Sequence, residues 1–212
     1  MQRAEYTARG PVPQDVVECV QRDTPTPQAG EVVLEMLAAP INPWDVLTLT
    51  GQYGMLPPLP AVGGNEGIGR VAALGDGVTA VVVGQRVLLP VGSGTWASHL
   101  VVPAAGLMAL PPVGDPLQLA MMTVNPPTAS LLLSEFVTLA PGDWVIQNAA
   151  NSGVGEYVIQ LAKRRGIRTV NVVRRHDAIA PLQALGGDVV LVDGPDLDTR
   201  VAEATGRAKI RL

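Results

Sequence analysis

The stretch Trp144–Arg175, WVIQNAANSGVGEYVIQLAKRRGIRTVNVVRR, decides the fold. Trp144 to Gln147 is a short, mainly apolar run of strand length. It gives way to Ala149, Ala150, Ser152, Gly153 and Gly155, residues small enough to let backbone N–H groups approach an anion at a helix N-terminus. From Val154 onward, Val154, Val158, Leu161 and Ala162 recur at helical spacing, and Arg168 to Val173 returns to the β-branched composition of a second buried strand. Strand, tight turn, helix and strand make a βαβ unit, the start of a doubly wound parallel sheet.

The small residues of the turn depart from the dinucleotide fingerprint G-x-G-x-x-G. With Gly155 aligned to its last glycine, Ala150 and Ser152 stand at the first two glycine positions. A plain strand-to-helix turn fits the same letters. The end of the second strand is more telling. About 20 residues after the turn, a carboxylate would grip a ribose 2′-hydroxyl. Here stand Arg174, Arg175 and His176, with no acid until Asp177. Two guanidiniums suit a 2′-phosphate through bidentate, charge-assisted bonds, so the expected coenzyme is NADPH. The other reading of the pair is a solvated strand end.

The chain has 212 residues, of which 47% are apolar, enough for one large or two small cores. It lacks the run of about 18 apolar residues that a membrane span requires. Its opening, MQRAEYTARGPVPQ, has neither a signal-peptide apolar segment nor an Arg- and Ser-rich presequence, so a cytoplasmic enzyme is expected. The net charge of −4 gives no footprint for nucleic acid. Cys19 is the sole cysteine, and His99 and His176 are the only histidines, which makes a zinc site improbable. Set among Val16, Val17 and Val20, Cys19 reads as a buried structural thiol.

Most of the 19 prolines precede residue 128. That punctuation suggests many short strands first and helices later. The domain boundary is placed at the Pro111 to Pro116 cluster, giving a β-rich domain over 1–115 and a parallel-sheet domain over 116–212. Helices are expected over Pro116 to Met122 and Pro127 to Thr138. In the first half, residues 31–39, EVVLEMLAA, read as a strand of a small barrel. Pro40-Ile41-Asn42-Pro43-Trp44-Asp45 forces a loop before a short helix. Further strands are expected at Arg70 to Leu74, within Val82 to Leu89, and within Gly94 to Val102.

The order of these pieces resembles the medium-chain dehydrogenase/reductase superfamily, in which a GroES-like barrel precedes a Rossmann domain. Within it, LAAPINPWD, GQYGMLPPLPAVGGNEGIG, GTWASHLVV, VNPPTA and VIQNAANSGVG resemble the 2-enoyl thioester reductases of mitochondrial and bacterial type. Zinc-dependent members carry a cysteine-led motif near Asn42 to Asp45 and a His-Glu pair where Asn65-Glu66 stands, and neither is present. The resemblance implies NADPH-dependent reduction of the C2–C3 double bond of a trans-2-enoyl thioester of coenzyme A or acyl-carrier protein. It makes Tyr53, in the G-x-Y-G word, the catalytic residue. An uncoordinated developing oxyanion needs hydrogen-bond donors, and a phenol stays protonated at neutral pH. The alternative role of Tyr53 is to anchor a proline-rich loop. Asn125 resembles the asparagine that holds the nicotinamide end of the coenzyme, and a helix cap before Pro126 is its other reading. The resemblance also makes Asn151, Ser152, Gly153 and Val154, ahead of the helix-opening Gly155, the diphosphate contacts. Asn42, Trp44, Asn65 and Glu66 are expected to be structural, and Trp96 a core or interface aromatic. Zinc-independent quinone oxidoreduction and a non-catalytic nucleotide-binding module are the rival functions.

A full doubly wound domain has about six strands. Only three are evident here, at Trp144 to Gln147, Arg168 to Val173 and Asp188 to Val192, with a helix near Asp198 to Thr205 leading towards a fourth. The Rossmann domain is therefore expected to be C-terminally truncated relative to the family. A fragment, a short homologue and one half of a split enzyme are all compatible with that. Unpaired strand edges and uncovered apolar faces predict a homodimer or a complementing chain.

Overall fold

The computed structural model describes residues 1–212, and the chain divides after Thr123 into two units, Met1–Thr123 and Val124–Leu212. In the first unit, β1 (Gln2–Tyr6) pairs antiparallel with β2 (Glu18–Gln21). The eight-residue strand β3 (Glu31–Ala38) follows, then helix α1 (Pro43–Thr50), and then β4 (Ala61–Val62), which pairs with the other edge of β1. A five-stranded antiparallel sheet is completed by β5 (Ile68–Leu74), β6 (Arg86–Leu88), β7 (His99–Pro103) and β8 (Met108–Ala109), in the order β7-β3-β5-β6-β8. Val32, Val33 and Leu34 in β3 are all buried, which explains why its sequence alternates only in part. Val32 and Leu34 join Val71, Val87, Leu89 and Leu100 in the main core.

Cys19 does not meet its expected burial: it is exposed. It lies in β2 at the edge of the three-stranded sheet, paired with Ala4, and the neighbouring valines are themselves only half-buried. The expected helix at Pro116 to Met122 is shorter, α2 (Pro116–Leu119), with Asp115 accepting from the Leu117 N–H at 3.0 Å.

The second unit opens with α3 (Asn125–Leu132), earlier at both ends than the sequence suggested. Pro126 and Pro127 fit the first turn because their missing N–H groups would have no helical partner there. Beyond the buried Leu133, residues 134–136 are all exposed, so no packing offsets the cost of ordering another turn. Next come β9 (Trp144–Gln147), α4 (Gly153–Arg164), β10 (Arg168–Val173), α5 (Ile179–Leu185), β11 (Val189–Val192) and α6 (Leu197–Ala204). The three strands are parallel in the order β11-β10-β9. Ile210 bridges Trp144 in parallel, with Arg211 N–H to Trp144 O at 2.7 Å and Ile146 N–H to Leu212 O at 2.8 Å. Counting this last segment, the order is third, second, first, fourth, the arrangement of a dinucleotide-binding sheet around its switch point.

Helices pack on both faces of this sheet. Val158 and Ala162 of α4 pack with Val145 and with Ala129 and Leu133, while Ile159 packs with Val173, Leu182 and Val190. Val201 of α6 packs with Trp144 and Val170. No helix is long and apolar enough to cross a membrane.

Candidate functional site

In the second unit, the chain leaves β9 at Gln147 and turns through Asn148–Asn151, with Ala149 in the left-handed region at φ +47°. Ser152 caps α4, its Oγ accepting from the Gly155 N–H at 3.2 Å. Gly153 and Val154 then begin the helix, where their N–H groups have no intrahelical carbonyl to reach. Gly155 must be glycine: a Cβ there would stand 2.5 Å from the Ala150 carbonyl oxygen. That close approach of helix to strand is the task of the last glycine in the dinucleotide fingerprint.

Arg174 and Arg175 lie exposed just past the end of β10. Together with Asn151 they line an open cleft of about 350 Å³. Arg175 Nε also bonds Asp177 Oδ1 at 3.1 Å, a pair so exposed that it holds the guanidinium only weakly. His176 is exposed in the short 3₁₀ turn His176–Ala178 and does not line the cleft. Asn125 is the first residue of α3, half-buried, and Val124 rather than Asn125 occupies the cap position.

In the first unit, α1 ends at Gly51 (φ +78°), and Tyr53 follows on a loop whose N–H groups at Gln52 and Tyr53 both donate to Leu47 O. The Tyr53 ring meets Trp44 edge to face, with centroids 5.8 Å apart and planes at 78°. Both border a cavity of about 280 Å³ whose other walls include Tyr6, Leu49, Val62 and Trp96. Several polar side chains around it are already bonded within the chain. Asp45 accepts from the Asn42 N–H and from Asn65 Nδ2, each at 2.7 Å, Thr48 Oγ1 donates to Trp44 O at 2.8 Å, and Trp96 Nε1 donates to Pro40 O at 3.0 Å. The half-buried Tyr53 has no such partner for its hydroxyl, which leaves it available to a ligand.

Asn42, Asp45, Asn65 and Glu66 form one bonded cluster, completed by Asn42 Nδ2 to Glu66 Oε2 at 2.9 Å. Asp45 is 2% exposed and Glu66 1%. Burial pushes the Asp45 carboxyl above its usual range, while the bonds from Asn42 and Asn65 pull it back. The cluster ties α1 to the loops on either side, the structural role expected of Asn42, Asn65 and Glu66. Trp96 is half-buried on the cavity wall, lying so close over Gly63 and Gly64 that a Cβ on either would come within 2.3 and 2.4 Å of its neighbours.

Residues 28–112 match the alcohol dehydrogenase GroES-like domain. The human mitochondrial enoyl-[acyl-carrier-protein] reductase is 44% identical over 187 residues, covering 85% of this chain and 50% of that protein. Among solved structures, the Etr1p complex with NADP and crotonyl-CoA, from the reductase of Candida tropicalis, superposes with a TM-score of 0.86 at 28% identity, covering 97% of this chain and 65% of that one. A mycobacterial quinone oxidoreductase superposes with a TM-score of 0.82 at 31% identity, covering 99% and 65%. Over both units the chain is similar to members of the medium-chain dehydrogenase/reductase superfamily. It spans about half the length of the curated relatives it matches, and its two units correspond to a GroES-like β domain and a Rossmann-type parallel sheet.

One feature of the second unit has no local signature that marks its role. Gln147, Asn171 and Thr169 form a polar chain under α4: Gln147 Nε2 donates to Asn171 Oδ1 at 2.8 Å, and Asn171 Nδ2 to Thr169 Oγ1 at 2.9 Å. The sequence shows only an amide inside the otherwise β-branched run RTVNVV. Tyr6 was also missed as a cavity residue, since nothing local in QRAEY marks it.

Proposed function

We propose that this chain carries the machinery of an NADPH-dependent enoyl thioester reductase, acting on the C2–C3 double bond of a trans-2-enoyl thioester. The 44% identity with a curated enoyl-[acyl-carrier-protein] reductase carries this reading, and the free Tyr53 hydroxyl beside an apolar cavity supports it. NADPH, when bound, supplies the hydride that goes to the β-carbon. The N–H groups of Gly153 and Val154 receive the coenzyme diphosphate, Ser152 fixes the start of the helix beneath it, and Gly155 lets the helix come close. Asn151 adds a contact to the diphosphate, and the guanidiniums of Arg174 and Arg175 take the 2′-phosphate, with His176 next to them along the chain. Asn125 holds the nicotinamide end. Tyr53 donates a hydrogen bond to the thioester oxygen as negative charge builds there, and it can pass its proton towards the α-carbon.

The reaction on this reading is zinc-independent. Asn42, Asp45, Asn65 and Glu66 stand where zinc-dependent members of the superfamily have ligands, and they are bonded to one another. Quinone reduction is the second reading, favoured by the likeness to the mycobacterial quinone oxidoreductase. NADPH oxidation with crotonyl thioesters against ortho- and para-quinones separates the two. Thioester turnover that falls by about a hundredfold in Tyr53→Phe, with NADPH affinity within about twofold, is the expected result. Comparable turnover removes Tyr53 from the mechanism, and NADPH binding without turnover on either substrate assigns the chain a nucleotide-binding role alone.

We also infer self-association. Leu131, Phe136 and Ile146 of the second unit are 53%, 68% and 39% exposed, apolar side chains that a second chain would cover. Sedimentation velocity should show a species larger than one chain, and a stable monomer across the micromolar range would contradict it.

A further inference from the structure

Gln147 is the last residue of β9, and Gly155 lies in the first turn of α4. Between them runs the turn that the functional reading assigns to the coenzyme diphosphate. That turn has few bonds of its own: Ala150 N–H to Val172 O at 3.2 Å, Ser152 N–H to Ala149 O at 2.9 Å, and the Ser152 cap. Four of the five residues at 148–152 are exposed. The Gln147 amide spans the turn. Its Nε2 donates to Gly155 O at 3.0 Å and to Asn171 Oδ1 at 2.8 Å, which uses both of its N–H groups.

Asn171 is 0% exposed, flanked in β10 by the buried Val170, Val172 and Val173. A buried primary amide is costly unless its hydrogen bonds are made. Here they are, with Thr169 Oγ1 at 2.9 Å and Val189 O at 3.1 Å taking the Nδ2 protons while Oδ1 accepts from Gln147. The surroundings are shaped for it, since a Cβ on Gly187 would stand 2.9 Å from Asn171 Nδ2. A valine at 171 would suit the core better, so the amide needs a purpose beyond packing. That purpose is to fix the rotation of the Gln147 amide, which otherwise has one partner and can swing.

We propose that Gln147 is a positioning residue that clasps the two ends of the coenzyme turn, with Asn171 as its buried anchor. The proposal rests on the coenzyme reading given above. By holding the Gly155 carbonyl to the end of β9, the clasp sets where the N–H groups of Gly153 and Val154 point before any ligand arrives. The binding site is therefore rigid in advance, and affinity does not have to offset the ordering of a loose loop.

The test compares Gln147→Met, which keeps length and loses both donors, with Thr169→Val, which cuts the same polar chain away from the turn. Hydrogen exchange over residues 148–158 is measured without coenzyme, and NADPH affinity by titration. Gln147→Met should speed exchange by about fivefold or more and weaken NADPH by about tenfold. Thr169→Val should lower thermal stability while changing both readouts by less than about twofold. Should Gln147→Met fail to fold, Gln147→Glu, which keeps polarity but loses both donors, is judged by the same criteria. Unchanged turn exchange in the Gln147 variant, or an equal change in Thr169→Val, would overturn the clasp. An unmodified chain that does not bind NADPH counts against the coenzyme reading itself, and the exchange comparison still decides the clasp.

Discussion

At the scale of single residues, two tyrosines on one cavity carry opposite tasks. Tyr53 is half-buried with a free hydroxyl, as a donor to a ligand must be, whereas Tyr6 is 2% exposed and belongs to the packing of the first unit. Burial raises the Tyr6 phenol above its ordinary value near 10, and Arg9 opposes that rise. The folded chain thus keeps a proton that the unfolded chain releases. The resulting stability is complete below about pH 10 and is lost as pH rises from there through the higher folded value. Tyr6→Phe keeps the ring and removes the titration, so its unfolding free energy should fall less steeply above about pH 10 than that of the unmodified chain. Urea denaturation at a series of alkaline pH values measures this, and an equally steep fall in the mutant would clear Tyr6 of the effect.

At the scale of elements, the Asn42–Glu66 cluster shows how a short helix is held. α1 has only eight residues, too few to persist without tertiary support, and Asp45 supplies a bond to the chain entering the helix and another to the Asn65 loop. Asp45→Ala would strand two donors in a buried site and should cost about 3 kcal/mol by chemical denaturation, whereas a loss below about 1 kcal/mol would show the loops are held by other means. The local pattern of β9, α4 and β10 was legible because strand composition, helical spacing and small turn residues agree over one continuous stretch. The ends of α3 were not, since Phe136 and Thr138 look helical to a periodicity reading and only tertiary exposure shows they have nothing to pack on. Cys19 failed for the same reason: valines on either side signal a strand, but not that the strand lies at a sheet edge. Asn42, Asn65 and Glu66 were expected to be structural, and Asp45 was not singled out. The Asn42–Asp45 bond is a local helix cap, but the bonds to Asn65 and Glu66 cross 20 and 24 residues of sequence, which no local rule predicts.

At the scale of the whole molecule, the first unit presents a phenol on an apolar cavity and the second a helix-opening turn with two guanidiniums and Asn151 on one cleft. The parallel order, with the segment at Ile210 beside β9, puts that turn at the switch point of the sheet, where the helix start and strand ends favour an anionic ligand. On this account, the central claim is that the turn and the arginine pair together select NADPH. Titrating the full chain with NADPH and with NADH, alongside Arg174→Ala/Arg175→Ala, tests it most directly. Saturable binding with NADPH preferred is expected, with a loss in the double mutant about tenfold greater for NADPH than for NADH. Equal affinities in the unmodified chain, an equal loss for both coenzymes, or no saturable NADPH signal would contradict it.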